Sequence, residues 1–528
     1  MKILYYSGRI RNRDALCRSL SIPKGEDPYQ QDIRMLERAW QEWGEELCLR
    51  LCGAFAIVLE TDDRLLLFRD HFGIECLYYA QKNGELFFSD SAAELIAGSG
   101  VSGHFNEQMM YAFFLYGYAF GEETFYREVY KLLPGHLLVW DKKNGCIAEK
   151  RAWFKPMFYP QEEPRLAYWS DRVRQTVEEV FADEAETIRG NKTGSFLSSG
   201  VDSSYMLASA DIRDAYCVGY DKKRYRTEAP EARETARFLH RSFHEVHVST
   251  KEYAKAFEAI TAAQDQPSTN ASLPAFYIAC KKAAKKHTLM FSGEGPDEFF
   301  AGYYGYVDAA AAASDLQNPY LGCGQMMSLR QYEQLMKEPK PCVSDVHREI
   351  YADTESSGYL SRMLRTDISL FLEGDTLSYL STVKKMTGLQ ISLPFLDPRV
   401  FALAAVMPDI MKRNSVSIGS GKVRYYVGNK FAFRMAASEK LPYETALRRK
   451  IGFFAPLSKM LLEEPLRSTV TELLFGGPAE PFFREEFLRS SWSALSDGDD
   501  GAWHIIFSVA AFLAWYKKHF DAFGDPIL

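Results

Sequence analysis

No stretch of this chain is apolar for long enough to cross a bilayer, which takes roughly 20 residues. The most apolar segment, Ile505 to Trp515, is shorter and reads as a buried helix. The opening MKILYYSGRIRNRD breaks its apolar run too early for the core of a signal peptide. A membrane partner is therefore not expected. Positive charge is not in excess either. There are 63 Lys and Arg against 70 Asp and Glu, a net charge of −7, so no basic field argues for nucleic acid. Cysteine is sparse and unpatterned. The thiols at 17, 48, 52, 76, 146, 217, 280, 323 and 342 are odd in number and form no Cys-x-x-Cys pair. That argues against a metal-binding cysteine motif and suits free thiols in a reducing cytoplasm. Internal repeats and low-complexity tracts are missing as well.

What is present is a chain of 528 residues, too long for one ordinary core, so two domains, or three, are expected. Residues 1–150 read as strand-rich. Ala54–Leu59, Arg64–Phe68, Leu77–Ala80 and Leu86–Ser89 are short apolar or alternating runs split by turn-prone residues, a spacing that predicts antiparallel sheet. A helix is predicted over Gln31–Leu47, where Ile33, Leu36, Trp40 and Trp43 recur at helical steps. Lys155–Pro164 carries three prolines and reads as a linker, which sets expected domains at 1–155 and 165–528. From Lys192 the rhythm becomes strand, helix, strand, helix, and Ser249 to Glu252 forms a capping-box pattern. Such alternation predicts an α/β domain with a parallel sheet, whose ligands bind at the carboxyl ends of the strands. Beyond residue 360 the chain reads as mainly helical.

Two loops carry the chemistry. Ser198-Ser199-Gly200-Val201-Asp202-Ser203-Ser204 follows one predicted strand and opens a helix. A helix N-terminus, hydroxyls and a glycine suit an anion, and Asp202 would sit where a divalent cation could bridge to phosphate. No Gly-Lys-Ser/Thr ending follows, so this is not a Walker loop. Ser292-Gly293-Glu294-Gly295-Pro296-Asp297-Glu298 follows a second predicted strand, with three carboxylates suited to a metal and a proton acceptor. Taken singly, each has a plain reading as a serine-rich cap or an acidic turn. Together, on one edge of one sheet, an anion cradle facing an acidic loop calls for a cation, and Mg²⁺ with ATP supplies it.

FLSSGVDSS at 196–204 resembles the pyrophosphate-binding loop of the asparagine synthetases and their N-type ATP pyrophosphatase relatives, with Ser199 where the family has glycine. SGEGPDEFFAGY at 292–303 is similar to the family's second loop. RDHFGIECLYY, LLPGHLL, LPFLDPRV, KFAFRMA and RRKIGFFAP follow in family order, so the likeness covers roughly residues 3–460. The resemblance implies an N-terminal antiparallel β-sandwich of the Ntn-hydrolase type, degenerate here, and a C-terminal ATP pyrophosphatase domain with a helical end. It implies that Leu197, Val218, Ser292 and Gly293 line an ATP site. Ser198, Ser199, Gly200, Asp202, Ser203 and Ser204 belong to the pyrophosphate loop. Asp202 and Asp297 would ligate Mg²⁺, Glu294 would assist deprotonation of the attacking amine, and Lys450 with Lys430 would neutralise charge building during the reaction.

The pattern also breaks. The family's glutaminase nucleophile is an N-terminal cysteine, whereas here Met1 is followed by Lys2, and Ser7-Gly8-Arg9 stands for the family's Asn-Gly-Glu. Asp32 matches the aspartate that would hold a glutamine amine. Cys52-Gly53 imitates the family's opening but is internal and reads as a half-buried thiol. Glutamine hydrolysis is expected to be absent. Gln390-Ile391-Ser392 replaces Glu-x-Arg before LPFLD, and Thr382-Val383 replaces an Asp-Arg pair, which argues against aspartate recognition. The leading expectation is an ATP-dependent ligase joining a small-molecule or peptide carboxylate to ammonia or an amine. A natural-product cyclase of the lasso-peptide or β-lactam type, and a silent nucleotide-binding scaffold, compete with it. A homodimer, a separate glutaminase or a precursor peptide are the expected protein partners.

Overall fold

Strand β1 (Lys2–Ile10) opens the chain and pairs antiparallel with β2 (Gly53–Glu60), an element the sequence pattern did not announce. The computed structural model describes residues 1–528 apart from 24–26, 163–164, 222–224, 226, 307–319, 340–357, 415, 419–424, 450–454, 522–523 and 528. β3 (Arg64–Arg69), β4 (Tyr78–Lys82), β5 (Glu85–Ser89), β6 (Tyr130–Lys131), β7 (His136–Asp141) and β8 (Cys146–Ala152) complete two antiparallel sheets, ordered β1-β2-β3-β7-β8 and β5-β4-β6. The period of two along β2 explains how they stack. Phe55, Ile57 and Leu59 face Met35, Leu36 and Ala39 of the helix Pro28–Trp43, while Ala56 and Val58 face Tyr79 and Leu86 of the second sheet. β2 is buried on both faces, which is why its sequence is almost continuously apolar. The predicted helix over 31–47 is two elements, since Gly44 ends the α-helix and a 3₁₀ turn follows over Gly44–Arg50.

The second half is built on β9 (Thr193–Phe196), β10 (Asp214–Gly219), β11 (Ser242–His247), β12 (Leu289–Phe291) and β13 (Gln390–Ser392), in the order β11-β10-β9-β12-β13 and parallel throughout. The chain runs outward from β9 through β10 and β11, then crosses back to β12 on the other side. The crevice between β9 and β12 is thus the point where strand order reverses, the usual seat of a ligand in such a sheet. Phe291 pairs with Ser195, so the loops after both strands leave the same edge. The predicted capping box at Ser249 and Glu252 is present. The C-terminal region is mainly helical, with two departures among the described residues: β13, and a short hairpin of Val416–Ile418 with Tyr425–Val427. No described helix is long and apolar enough to cross a membrane.

Buried ion pairs join the two halves. Arg11 gives Nε to Glu184 at 2.8 Å and a terminal nitrogen to Asp397 at 2.6 Å. Arg69 and Lys131 hold Glu373 at 2.9 and 2.8 Å. Glu373 lies in a π-helical segment, Asp367–Leu377, that no sequence periodicity foretold. The Phe72 ring also packs on Phe299 and Phe401, so the halves share apolar core.

Candidate active site

At the carboxyl ends of β9, β10 and β12 lies a cavity of about 940 Å³, near the top of the range for small-molecule sites and large enough for a nucleotide with a second substrate. Leu197 and Val218, the last apolar residues of their strand ends, line it together with Ser198, Asp202, Ser203, Ser292, Gly293, Glu294 and Asp297. The helix Val201–Ser209 starts at the cavity, with Gly200 in extended backbone before it and Asp202 in its first turn. That turn is where a carboxylate is favoured and where unpaired N–H groups await an anion.

The first loop is tied to itself. The Ser203 hydroxyl accepts from the Ser198 N–H at 3.0 Å and lies 2.8 Å from the Ser198 hydroxyl, which accepts from the Gly200 N–H at 3.1 Å. Ser204 is buried and donates to the Gly200 carbonyl at 2.8 Å. Ser199 gives both its N–H and its hydroxyl to Glu228, at 2.8 and 2.9 Å. Ser199 and Ser204 are therefore turned toward the protein. Glu228 itself lines the cavity, and no local motif marks it.

The second loop closes on the first. A Cβ built on Gly293 would come 3.0 Å from the Ser203 nitrogen, so the glycine eases the close packing of the two loops. Asp297 follows on the short helix Pro296–Phe299. Between the loops stands Lys430, 1% exposed. Its ammonium is 2.7 Å from Asp202 and 2.8 Å from Asp297. Lys430 has φ of +51° and sits at the N-terminal end of the helix Phe431–Ala437, where the helix dipole disfavours a cation. Two carboxylates offset that cost. Gly302 faces the pair from the far side. A side chain there would meet Asp297 at 2.0 Å and Lys430 at 2.1 Å. Next to Asp297, burial and the adjacent charge hold the Glu298 carboxyl above the usual carboxylate range, and Tyr303 donates to it at 2.6 Å.

Arg434, on the same helix as Lys430, donates to the carbonyls of Ala446 and Arg448 and so fixes the approach to Arg449, which lines the cavity and lies over the Tyr304 ring. Lys450 lies outside the described residues. Ser392 donates to Glu184 at 2.6 Å, and Thr382 and Val383 are buried; none of the three lines the cavity. Tyr303, the last residue of the second loop motif, lines the cavity with Asp375, Tyr118 and Tyr379, which sit in segments without motif character. In the N-terminal half, Asp32 is buried, accepts from the Tyr6 hydroxyl at 3.0 Å, and is pushed up to about 6 by burial. Burial also pushes the thiols of Cys48 and Cys52 up to about 12.

A parallel sheet whose switch-point crevice brings an anion-suited turn and an acidic loop onto one lysine, beside an amidotransferase-like antiparallel half, defines an ATP-dependent carbon–nitrogen ligase. The comparisons agree. The family model described as asparagine synthase matches residues 173–517, and that of a glutamine amidotransferase domain matches residues 1–154. The chain belongs to the asparagine synthase family. It is 24% identical to asparagine synthetase [glutamine-hydrolyzing] 1 of Bacillus subtilis (strain 168), over 98% of this chain and 86% of that one. It is 24% identical to a putative asparagine synthetase [glutamine-hydrolyzing] of Mycobacterium bovis, over 80% of this chain and 70% of the relative. Asparagine synthetase [glutamine-hydrolyzing] 2 of rice is 26% identical over 57% of this chain and 48% of its own.

Proposed function

We propose that this ligase adenylates a carboxylate with ATP and passes the acyl group to ammonia or to an amine, without hydrolysing glutamine. The observation that carries the reading is the convergence of Asp202 and Asp297 on one ammonium. Two hard oxygen donors at one point fit Mg²⁺, which is commonly held by one or two carboxylates plus substrate phosphates. Bound there, Mg²⁺ would neutralise phosphate charge.

The residues divide the work. Leu197 and Val218 offer apolar surface for a base, while Ser198, Gly200 and Ser203 at the helix start would receive the pyrophosphate. An acid oxygen attacks the α-phosphorus and the bond to pyrophosphate breaks. The nitrogen then attacks the acyl carbon, AMP leaves, and Glu294 accepts the proton released by nitrogen. Lys430 would neutralise charge building on the α-phosphate, with Lys450 the second cation expected there. Domains of 1–155 and 165–528 are part of the proposal. The absence of glutamine hydrolysis is supported by the raised Cys48 and Cys52 thiols, since a nucleophilic cysteine needs the opposite shift.

The test is ATP–pyrophosphate exchange with a panel of carboxylic acids, followed by AMP release and product mass when an amine or ammonia is added. Exchange stimulated by at least one acid supports the reading. ATP binding with no exchange and no AMP from any acid would leave a nucleotide-binding scaffold instead.

A further inference from the structure

The π-helical segment Asp367–Leu377 carries three buried carboxylates whose partners differ in kind. Glu373 has two cations, Arg69 and Lys131. Asp367 accepts from the hydroxyls of Tyr306 and Tyr320 and from the Cys323 N–H. Asp375 lines the cavity, is 5% exposed, and accepts from two neutral donors, the Ser268 hydroxyl at 3.2 Å and the Asn270 amide at 2.8 Å. No described Lys, Arg or His forms an ion pair with it. A buried carboxylate is normally matched by a cation. Burial pushes it up to about 6, which still leaves it mostly ionised at neutral pH.

A second group of the same cavity lacks a partner altogether. Tyr118 lines the same cavity, is 1% exposed, and its phenolic oxygen has no hydrogen-bond partner. Burial, the Asp367 charge and, more weakly, the Asp375 charge act on that phenol. A buried hydroxyl without a partner and a buried carboxylate answered by neutral donors alone are both costly, so both point to something that enters the cavity. An ammonium offers three donors and can answer both.

The wall beside them is aromatic. Phe371 packs on Tyr118 and Tyr303 with ring centroids 5.7 and 5.9 Å apart, and both rings line the cavity. Aromatic faces beside a carboxylate hold organic cations. The Lys and Arg residues among the described lining amount to Arg449, which lies over Tyr304. A second carboxylate placed against Asp375 would meet like charge, whereas an amine there meets a partner.

We propose that this half of the cavity binds the acid substrate through a protonated amine seated on Asp375, with the Tyr118 oxygen as second acceptor. The aromatic wall then covers the carbon skeleton. The substrate class is an amine-bearing monocarboxylate with a bulky body, not free aspartate. The inference rests on the ligase reading for the reacting carboxyl and goes beyond it in naming the acid.

Calorimetry on the full-length protein tests it, with Mg²⁺ and a non-hydrolysable ATP analogue present. The probes are phenethylammonium, phenylacetate and aspartate. Phenethylammonium is expected to bind at least about tenfold tighter than the other two. Asp375→Asn is expected to weaken it about tenfold or more, and Tyr118→Phe, which removes only a hydroxyl, about fivefold. Binding of the nucleotide analogue controls for folding in both variants. Aspartate or phenylacetate binding as tightly as the amine, no binding of the amine, or an unchanged affinity in Asp375→Asn would each overturn the assignment. Loss of nucleotide binding by the wild-type protein with amine binding intact would instead strike the ligase reading and leave only the amine subsite on Asp375.

Discussion

Lys430 and Asp202, 228 positions apart in the sequence, meet as a two-pronged ion pair, the ammonium 2.7 Å from each carboxylate oxygen. The same nitrogen reaches Asp297 at 2.8 Å. Replacing the lysine by methionine leaves two buried carboxylates facing each other without a cation. Breaking such a pair by removing one partner costs about 3–5 kcal/mol. Lys430→Met is therefore expected to lower thermal stability. Added Mg²⁺ should restore stability to the variant more than it stabilises the wild type, and a melting curve with and without the ion reads this out. Equal Mg²⁺ effects in both proteins would contradict a shared cation site.

The aspartates are expected to be indispensable for adenylation. Asp202→Ala and Asp297→Ala should each lower ATP–pyrophosphate exchange by more than about a hundredfold, roughly 3 kcal/mol of lost transition-state stabilisation. Exchange that survives both changes at saturating Mg²⁺ would show that these carboxylates do not hold the triphosphate.

Gly302 has no room for a methyl group. Its Cβ would overlap Asp297 and Lys430, whose near atoms would lie at 2.0 and 2.1 Å. Gly302→Ala must displace one of the two, at about 1–3 kcal/mol for a forced overpacking. The expected result is loss of pyrophosphate exchange with only a modest drop in melting temperature. Wild-type exchange in this variant would mean that the ion pair can shift without consequence.

Acid should loosen the junction between the two halves. Arg9 and Arg11 hold Glu184 below the usual carboxylate range, Arg11 and Arg399 do so for Asp397, and Lys131 and Arg69 do so for Glu373. Depressed carboxylates contribute stability that is fully present above their ordinary values of 4.5 and 3.8 and is lost as pH falls through the lower folded values. These three groups thus contribute no pH dependence between 7 and 5 and a steep decline below about pH 4. Arg69→Ala should cost about 3 kcal/mol at pH 7 and flatten part of the acid limb. Chemical unfolding at a series of pH values measures both. An unchanged acid limb would mean Glu373 is not the titrating group.

Cys52 should behave as a buried thiol and not as a nucleophile. Its shift up to about 12 leaves little thiolate at pH 7. Alkylation by iodoacetamide, located by peptide mass, is expected to be much slower at Cys52 than at the exposed Cys146. Rapid labelling of Cys52 would remove one support for the lack of glutamine hydrolysis.

The sequence determined by itself what depends on neighbours along the chain. The strand–loop–helix units around Gly200 and Gly295, the parallel sheet and the antiparallel first half follow from apolar period, turn residues and loop composition, which act within a few residues. β1 carries no clear period because its burial alternates irregularly, and the helical spacing before β2 runs on past Gly44, where the α-helix ends. Tertiary structure alone decided that Lys430 stands between Asp202 and Asp297, that Glu228 takes both Ser199 donors, and that Asp375 reaches the cavity from a π-helical turn. Each joins chain segments far apart in sequence, and the charge on each side chain finds its partner only after the core has packed and excluded water. No local pattern records that pairing, because burial, not composition, is what makes an unpaired charge costly.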